Sequence, residues 1–183
     1  MFLYSYSEMS AWTDLFLPKT ILKGLYKQGF FEPTPIQRMV VPAAIKERKN
    51  IIGAAQTGSG KTLAFGLPIL SRLCDSFEQA ANDPSHNLKD DAIAPQALIL
   101  TPTRELAIQI KQHLQICAKY HKTKIVVVVG GISQLKQERL LKKQPEIIVA
   151  TPGRLMQMID EVMYCRAVSE KTFKNKIFYF LFE

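Results

Sequence analysis

The sequence has 183 residues, of which 47% are hydrophobic and 22% are charged, as in an ordinary globular protein. This length suggests one domain with a substantial core. The formal net charge of +8 is a weak pointer to a polyanionic partner, because many basic proteins bind none. No apolar run reaches the roughly 18 residues that a membrane helix needs, so a membrane partner is not expected.

Signals for secretion and for metal binding are weak. The opening segment MFLYSYSEMS has neither a basic start nor a long apolar stretch, which argues against a secretory signal. Cys74, Cys117 and Cys165 are odd in number and widely spaced, and they form no C-x-x-C pattern. We therefore expect an intracellular protein with reduced, partly buried thiols and no zinc site.

Short β-branched runs alternate with helical patterns along the chain. Four runs are nearly continuous in apolar residues, as strands buried on both faces must be. They are NIIGAA from Asn50, QALILT from Gln96, KIVVVV from Lys124 and EIIVAT from Glu146. The connections are long enough for helical crossovers, which make neighbouring strands parallel. The predicted fold is α/β, with three layers around a mainly parallel sheet.

Two segments depart from this alternation. The stretch at about 75–95 is polar, turn-rich and locally acidic, which predicts a surface insertion. The stretch 164–176 is polar and aperiodic, and it precedes a closing apolar run, KIFYFLFE, that predicts a buried strand. No repeat or linker marks a second domain.

The segment GAAQTGSGKT, from Gly53 to Thr62, predicts a phosphate-binding loop. Its two later glycines allow backbone conformations that are closed to other residues, so that N–H groups can surround a phosphate at a helix N-terminus. Lys61 would reach the β- and γ-phosphates, and the Thr62 hydroxyl would coordinate Mg²⁺. The alternative is a glycine-rich turn with a chance lysine. The predicted strand before the loop and the helix after it argue against that alternative.

The loop departs from the general pattern G-x-x-x-x-G-K-[ST], because Ala55 replaces the first glycine. The variant A-x-T-G-x-G-K-T is similar to the loop of the DEAD-box RNA helicases. Other segments resemble motifs of that family and follow in its order. They are Trp12 as an upstream aromatic, GFFEPTPIQ (29–37) as the Q motif, PTRELA (102–107) as motif Ia, the glycine pair 130–131, and TPGR (151–154) as motif Ib.

This resemblance implies a RecA-like P-loop NTPase lobe, the N-terminal lobe of an ATP-dependent RNA helicase, with its Q motif at about 10–38. ATP hydrolysis coupled to RNA unwinding or remodelling would be the activity of the complete enzyme. AWTDLFLP and PEIIVATPGRL are further similar to a nucleolar subfamily associated with assembly of the large ribosomal subunit. A nuclear or nucleolar location and a role in ribosome biogenesis are therefore implied, whereas protein partners are not specified.

The resemblance also implies a set of ATP-binding residues. The amide of Gln37 offers one donor and one acceptor to adenine N6 and N7, which would select ATP over GTP. Phe30, or its neighbour Phe31, would stack on the base. Gln37 taken alone would more often be a helix-start residue. The implied set is Phe30, Gln37, Ala55, Gln56, Thr57, Gly58, Ser59, Gly60, Lys61 and Thr62, with Lys61 and Thr62 as the catalytic pair.

A second implied set would contact RNA. Arg104 and Arg154 each follow a strand-ending Thr-Pro pair, and open α/β sheets bind ligands at the C-terminal ends of their strands. The glycine pair ends another strand and would let a backbone come close. The implied contacts to single-stranded RNA, without sequence readout, are Thr103, Arg104, Gly130, Gly131, Thr151 and Arg154. The alternative is that both arginines pair with local carboxylates, such as Glu105 beside Arg104.

In the family, the strand after motif Ib runs into Asp-Glu-Ala-Asp, and FYFLF has the position and composition of that strand. The sequence contains no D-E-x-D and no S-A-T, so the lobe is expected to be truncated at the motif II strand, with the second lobe absent. We therefore expect this chain alone to lack ATPase turnover. The alternatives are a short product that binds nucleotide or RNA without hydrolysis, and an incomplete gene model.

Overall fold

A computed structural model describes residues 9–82, 95–161 and 177–180. Within these ranges the chain forms helices α1 (Lys19–Lys27), α2 (Pro35–Ile45), α3 (Lys61–Asn82), α4 (Arg104–Cys117), α5 (Gln134–Leu141) and α6 (Pro152–Glu161). Short 3-10 helices cover Ser10–Leu15 and Ala118–Tyr120. The strands are β1 (Ala97–Leu100), β2 (Ile125–Val128), β3 (Ile147–Ala150) and β4 (Ile177–Phe180).

The four strands form one parallel sheet in the order β2-β3-β1-β4. This confirms the predicted α/β fold and the predicted strands after Gln96, Lys124 and Glu146. The closing apolar run also contains a strand, which pairs with β1. Every residue of β2 and β3 is buried, as a parallel sheet covered on both faces requires.

One face of the sheet has a core made by alternate strand residues. Side chains two positions apart share a face of a strand, so Val126 and Val128 lie on the same side as Ile148 and Ala150. This side packs with Leu141 of α5 and Met158 of α6, and Leu98 completes the buried cluster. Helices α5 and α6 therefore cover this face of the sheet.

The strand predicted for NIIGAA is wrong. Residues 50–56 adopt no regular secondary structure, and Ile51 and Ile52 are 39% and 105% exposed. A β-branched run supplies propensity, but a strand also needs a neighbour that takes up its backbone hydrogen bonds. No described residue forms a ladder with this run.

A helix covers the first part of the stretch predicted as a surface insertion. Helix α3 continues to Asn82, and its residues 75–79 and 81–82 are exposed. Residues 83–94 and the polar stretch 164–176 lie outside the described residues. No described helix is both long and apolar enough to span a bilayer.

The chain divides into two compact units. The first consists of Met1–Ser76 and His113–Lys122, and the second of Phe77–Gln112 and Thr123–Glu183. The first unit contains the predicted phosphate loop and Q motif. The second contains the sheet and the loops that leave its strand ends.

Helices in the first unit approach one another closely at glycines. A Cβ atom on Gly24 of α1 would lie 2.6 Å from the carbonyl oxygen of Cys117. A Cβ atom on Gly66 of α3 would lie 2.2 Å from Leu114 Cδ2. Cys117 is fully buried, and this burial raises the pKa of its thiol to about 12. The thiol therefore stays protonated in the folded chain at neutral pH.

Candidate functional site

The predicted phosphate loop ends at a helix N-terminus. Gly58 and Gly60 have φ angles of +82° and +91°, in the left-handed region that favours glycine. The Gly60 carbonyl accepts a hydrogen bond from Ala64 N at 3.1 Å and so begins α3. N–H groups of a first helical turn have no partner within their own helix. A Cβ atom on Gly58 would meet nothing within 4 Å, so this side of the loop is open.

The side chains of the loop are partly engaged with its own backbone. The Lys61 ammonium donates a hydrogen bond to the carbonyl of Ala55. The hydroxyl of Ser59 is buried and has no hydrogen-bond partner among the described residues. An anion bound at the helix N-terminus would meet the lysine, the first-turn N–H groups and the Ser59 hydroxyl. These groups fit a phosphate.

Gln37 links the helix α2 to this loop. Thr34 and Pro35 stand at the N-cap and first position of α2, where such residues favour helix initiation. Gln37 Oε1 accepts a bond from Thr34 N at 3.0 Å, and Nε2 donates to the Gly60 carbonyl at 3.0 Å. The helix-start role is therefore present, and the amide is also bonded to the phosphate loop. Its contact to adenine stays a prediction.

Gly60 is tightly enclosed by these same groups. A Cβ atom at this position would lie 2.5 Å from Gln37 Nε2 and 2.8 Å from Thr34 Oγ1. A glycine is thus required for the approach of α2 as well as for the backbone angle.

Of the two candidate stacking aromatics, the structure favours Phe30. The residues Phe30 and Phe31 are 42% and 46% exposed. Phe31 meets Tyr26 edge to face at 5.7 Å, whereas Phe30 has no ring contact with a described residue. The buried Trp12 donates from Nε1 to the Phe30 carbonyl at 3.0 Å, which holds the backbone there while the ring stays exposed.

In the second unit, three strands end at one edge of the sheet. Thr101 N donates to the Ala150 carbonyl at 2.9 Å, and Thr151 N donates to the Val128 carbonyl at 3.1 Å. The pairing of β1, β3 and β2 therefore stops at the same level. The chain then leaves the sheet through the predicted RNA-contacting residues: Thr103, Arg104, Gly130, Gly131, Thr151 and Arg154.

Arg104 lies against the glycine pair. Gly131 has a φ of +75°, and a Cβ atom there would lie 2.3 Å from Arg104 Nη1 and 2.7 Å from its Cζ. The Thr103 hydroxyl accepts a bond from Leu106 N at 3.3 Å, which caps the start of α4. The structure thus brings together residues that are 27 positions apart in the sequence.

Neither arginine pairs with a described carboxylate. Arg154 Nη1 donates to Gln157 Oε1, and its Nε is buried with no described partner. An ion pair is formed by Lys49 and Glu47 in the first unit. Glu105 is exposed and does not pair with Arg104. The local ion pairs considered as an alternative are therefore not formed within the described part of the chain.

Residues 34–176 match the family model described as DEAD/DEAH box helicase. The chain belongs to this family. DEAD-box helicases bind ATP, and the two candidate sites of this chain lie on their motifs.

Curated relatives agree with the family match. The chain is 50% identical over 157 residues to "DEAD-box ATP-dependent RNA helicase 13" of Oryza sativa subsp. japonica. This alignment covers 83% of this chain and 19% of that protein. It is 44% identical over 155 residues to "ATP-dependent RNA helicase mak5" of Schizosaccharomyces pombe, covering 84% of this chain and 22% of the relative. The chain therefore spans about a fifth of the length of these relatives.

Solved structures show the same similarity. The Prp28 RNA helicase of Chaetomium thermophilum bound to ADP superposes with a TM-score of 0.71 and 32% identity, over 94% of this chain and 45% of that one. The DEAD-box helicase Mss116 bound to ssRNA and UDP-BeF gives a TM-score of 0.70 and 28% identity, over 84% of this chain and 30% of that one.

Sequence reasoning missed Gln137. This residue of α5 is fully buried and bonds to the backbone around the glycine pair. One signal was available, because Gln137 lies four positions before the buried Leu141 and so faces the sheet on the same side of the helix. Its neighbours Lys136 and Arg139 are exposed.

Proposed function

We propose that this chain is the ATP- and RNA-binding part of an ATP-dependent RNA helicase. Residues 1–183 would form part of its helicase ATP-binding domain, and a second RecA-like lobe would lie outside them. The observation that carries the proposal is the loop Gly53–Thr62. It combines two left-handed glycines, a lysine at the start of a long helix and a hydrogen bond from the Q motif.

The nucleotide would bind at this loop. Lys61 would exchange the Ala55 carbonyl for a phosphate oxygen, and a charged acceptor makes the stronger hydrogen bond. Gln37 sits beside the loop, and Phe30 is exposed with its backbone fixed by Trp12. These positions support adenine recognition by the Gln37 amide and stacking on the Phe30 ring. The binding of ADP by the similar Prp28 is in keeping with this assignment.

Mg²⁺ would be held in part by the Thr62 hydroxyl. Among the described residues no three His, Cys, Asp or Glu side chains cluster as a metal site. This fits an ion that keeps several waters and binds through nucleotide phosphates with few protein ligands. When bound, Mg²⁺ would neutralise charge on the β- and γ-phosphates.

RNA would bind at the strand ends of the second unit. Arg104 and Arg154 offer guanidinium groups that are not paired with a described carboxylate. A Cβ atom on Gly130 would meet nothing within 4 Å, so Gly130 leaves room for a close backbone. Guanidinium groups bind phosphates well, and phosphates are the same in every RNA sequence, which supports binding without sequence specificity. The similar Mss116 binds ssRNA.

In the whole protein, ATP hydrolysis would be coupled to RNA unwinding or remodelling. The relatives named as ATP-dependent RNA helicases support this activity. The similarity of AWTDLFLP and PEIIVATPGRL to the nucleolar subfamily supports a role in ribosome biogenesis and a nuclear or nucleolar location.

Nucleotide titration tests the first half of the proposal. Labelled ATP, ADP and GTP are titrated with and without Mg²⁺ against the wild type, Gln37→Ala and the exposed control Gln28→Ala. We expect the wild type and the control to bind ATP more tightly than GTP, and Gln37→Ala to lose this preference. Equal affinity of the wild type for ATP and GTP would contradict the adenine contact.

RNA titration tests the second half. We expect single-stranded oligonucleotides of unrelated sequence and equal length to bind with similar affinity. A strong preference for one sequence would contradict recognition through phosphates.

Phosphate release tests the expectation about turnover. The 183 residues contain no D-E-x-D sequence, and phosphoryl transfer needs a carboxylate that holds Mg²⁺. We expect this chain alone to show little hydrolysis with or without single-stranded RNA. Turnover at ordinary helicase rates that Lys61→Ala abolishes would overturn that expectation.

A further inference from the structure

The residue that follows β2 has a backbone that the sheet does not satisfy. The pairing of β2 with β3 ends at Val128, which accepts the last hydrogen bond from Thr151 N. Val129 comes next and is fully buried. A buried backbone N–H or C=O that lacks a partner costs free energy comparable to a lost hydrogen bond. Something other than a strand must therefore pair with Val129.

The side chain of Gln137 takes this place. Val129 N donates to Gln137 Oε1 at 3.0 Å, and Gln137 Nε2 donates back to the Val129 carbonyl at 3.2 Å. A primary amide has a donor and an acceptor side by side, so it can replace the peptide group of a neighbouring strand. The second N–H of the same Nε2 reaches the Ile132 carbonyl at 2.9 Å.

These three bonds close a turn around the glycine pair. Val129 and Ile132 stand on either side of Gly130 and Gly131, and both are tied to one buried amide. Gln137 itself is 0% exposed, so its amide does not exchange these bonds for water. A satisfied polar network in a low-dielectric interior gives a unique geometry to the backbone that it joins.

The Gly130–Gly131 turn also limits the position of Arg104. The guanidinium lies over Gly131, where even a methyl group would come within 2.3 Å of Nη1. No described carboxylate holds Arg104 from another side. A change in the backbone of this turn would therefore move the surface against which the guanidinium rests.

We propose that Gln137 is a positioning residue for RNA binding, which sets the Gly130–Gly131 turn and through it the Arg104 guanidinium. This inference rests on the proposed function, because it takes Arg104 as a phosphate contact. It adds a buried, uncharged residue that would not touch RNA itself.

The salt dependence of RNA binding distinguishes positioning from general stability. Each phosphate contact on a single strand contributes about 0.7 to the slope of log affinity against log salt concentration. Gln137→Met removes the amide but no charge, so it lowers this slope only if a cation leaves its phosphate. A variant that is merely less folded binds less RNA with an unchanged slope.

The experiment measures binding of single-stranded oligonucleotide to the full chain between about 50 and 200 mM salt. The single variants are Gln137→Met, Arg104→Ala and Arg154→Ala. Two double variants combine Gln137→Met with each arginine substitution. Gln134→Met, on the same helix, is the matched control. We expect Gln137→Met to lower the slope by about 0.7, as Arg104→Ala does, and the Gln134→Met slope to equal that of the wild type. Gln137→Met should add nothing to Arg104→Ala, yet lower the slope of Arg154→Ala by the same amount.

Each contrary result has a separate meaning. An unchanged slope in Gln137→Met, beside a lowered slope in Arg104→Ala, overturns the positioning role alone. A further fall when Gln137→Met is added to Arg104→Ala does the same. An unchanged slope in Arg104→Ala overturns the proposed RNA contact, and the positioning role with it. If Gln137→Met does not fold, the uncharged Gln137→Asn, whose amide is too short for these bonds, and Gly131→Ala replace it with the same expected loss, and an unchanged slope in both overturns the inference.

Discussion

The two candidate sites of this chain are maintained in different ways. In the first unit, the phosphate loop is bonded to itself and to α2, since Lys61 donates to Ala55 and Gln37 to Gly60. In the second unit, the guanidinium groups of Arg104 and Arg154 have no described carboxylate partner. The turn beside Arg104 is shaped by buried hydrogen bonds between the Gln137 amide and the backbone. Nucleotide binding would therefore exchange hydrogen bonds within the loop, whereas RNA binding would use cations that no described carboxylate neutralises. Substitutions in the two units should separate these behaviours.

The largest expected effect is that of Lys61→Ala on nucleotide affinity. A hydrogen bond to a charged group is worth up to about 3 kcal/mol, so we expect a loss of about 100-fold in ATP affinity. RNA affinity without nucleotide should not change, because Lys61 belongs to the other unit. The exposed Lys122→Ala is the charge-matched control, and binding is measured by titration of labelled ATP and RNA. An equal loss in RNA affinity would remove the contrast between the units.

Gly60→Ala should destabilise the first unit more than Gly58→Ala does. Both positions have positive φ, and a left-handed conformation costs a non-glycine residue roughly 1 to 2 kcal/mol. Only at Gly60 would the new Cβ also displace Gln37, whose hydrogen bonds to the loop and α2 would be lost. We expect the excess loss in unfolding free energy to be about 2 kcal/mol.

Urea unfolding followed by the fluorescence of Trp12 measures this difference. Trp12 is the single tryptophan of the sequence and lies in the same unit. Equal losses for the two glycine variants would mean that Gln37 does not hold the loop.

Much of the fold could be predicted from apolar runs, but the run at Asn50 could not be judged from its own residues. Every residue of the strands β2 and β3 is buried, and the two strands pair in parallel. NIIGAA has a similar composition, yet Ile52 is fully exposed and no described ladder includes it. A strand depends on its partner, and the sequence of the strand does not contain that partner.

The site residues were predictable as types and less so as contacts. The glycines, Lys61 and the two Thr-Pro-x-Arg segments stand out in the sequence, and the two arginine segments follow the ends of β1 and β3 in the structure. The contact between Arg104 and Gly131 joins distant segments and needed the structure. Gln137 was missed because a single buried amide in a charged helix has no sequence pattern, and its role comes from the end of the ladder at Val128.

Cys117 provides a pH probe for the first unit. Burial raises the pKa of its thiol from 9.0 to about 12, so the unfolded chain releases this proton at a lower pH than the folded chain. The protonated, buried thiol contributes fully to the free energy of unfolding below pH 9. This contribution falls by about 1.4 kcal/mol per pH unit as the pH rises from 9 toward 12. Compared with Cys117→Ala, the wild type should therefore lose about 1.4 kcal/mol more between pH 8 and pH 10. Trp12 fluorescence in urea measures both, and parallel pH profiles would show that the thiol ionises freely in the folded unit.

The smallest expected effect is that of single arginines on RNA affinity. Arg104→Ala and Arg154→Ala should each lower the salt slope by about 0.7 to 1, which is about a threefold difference in affinity between 50 and 200 mM salt. Arg139→Ala, an exposed arginine of α5, removes the same charge away from the strand ends and should leave the slope close to that of the wild type.

Arg104 and Arg154 differ in one respect that the measurement can detect. Arg154 has a partner in Gln157, so part of its contact would replace an existing hydrogen bond, whereas Arg104 rests on a glycine. We therefore expect the larger loss of affinity at Arg104. Equal salt slopes for all three variants would show that RNA affinity depends only on the net charge of this unit. The strand ends would then not be a binding site.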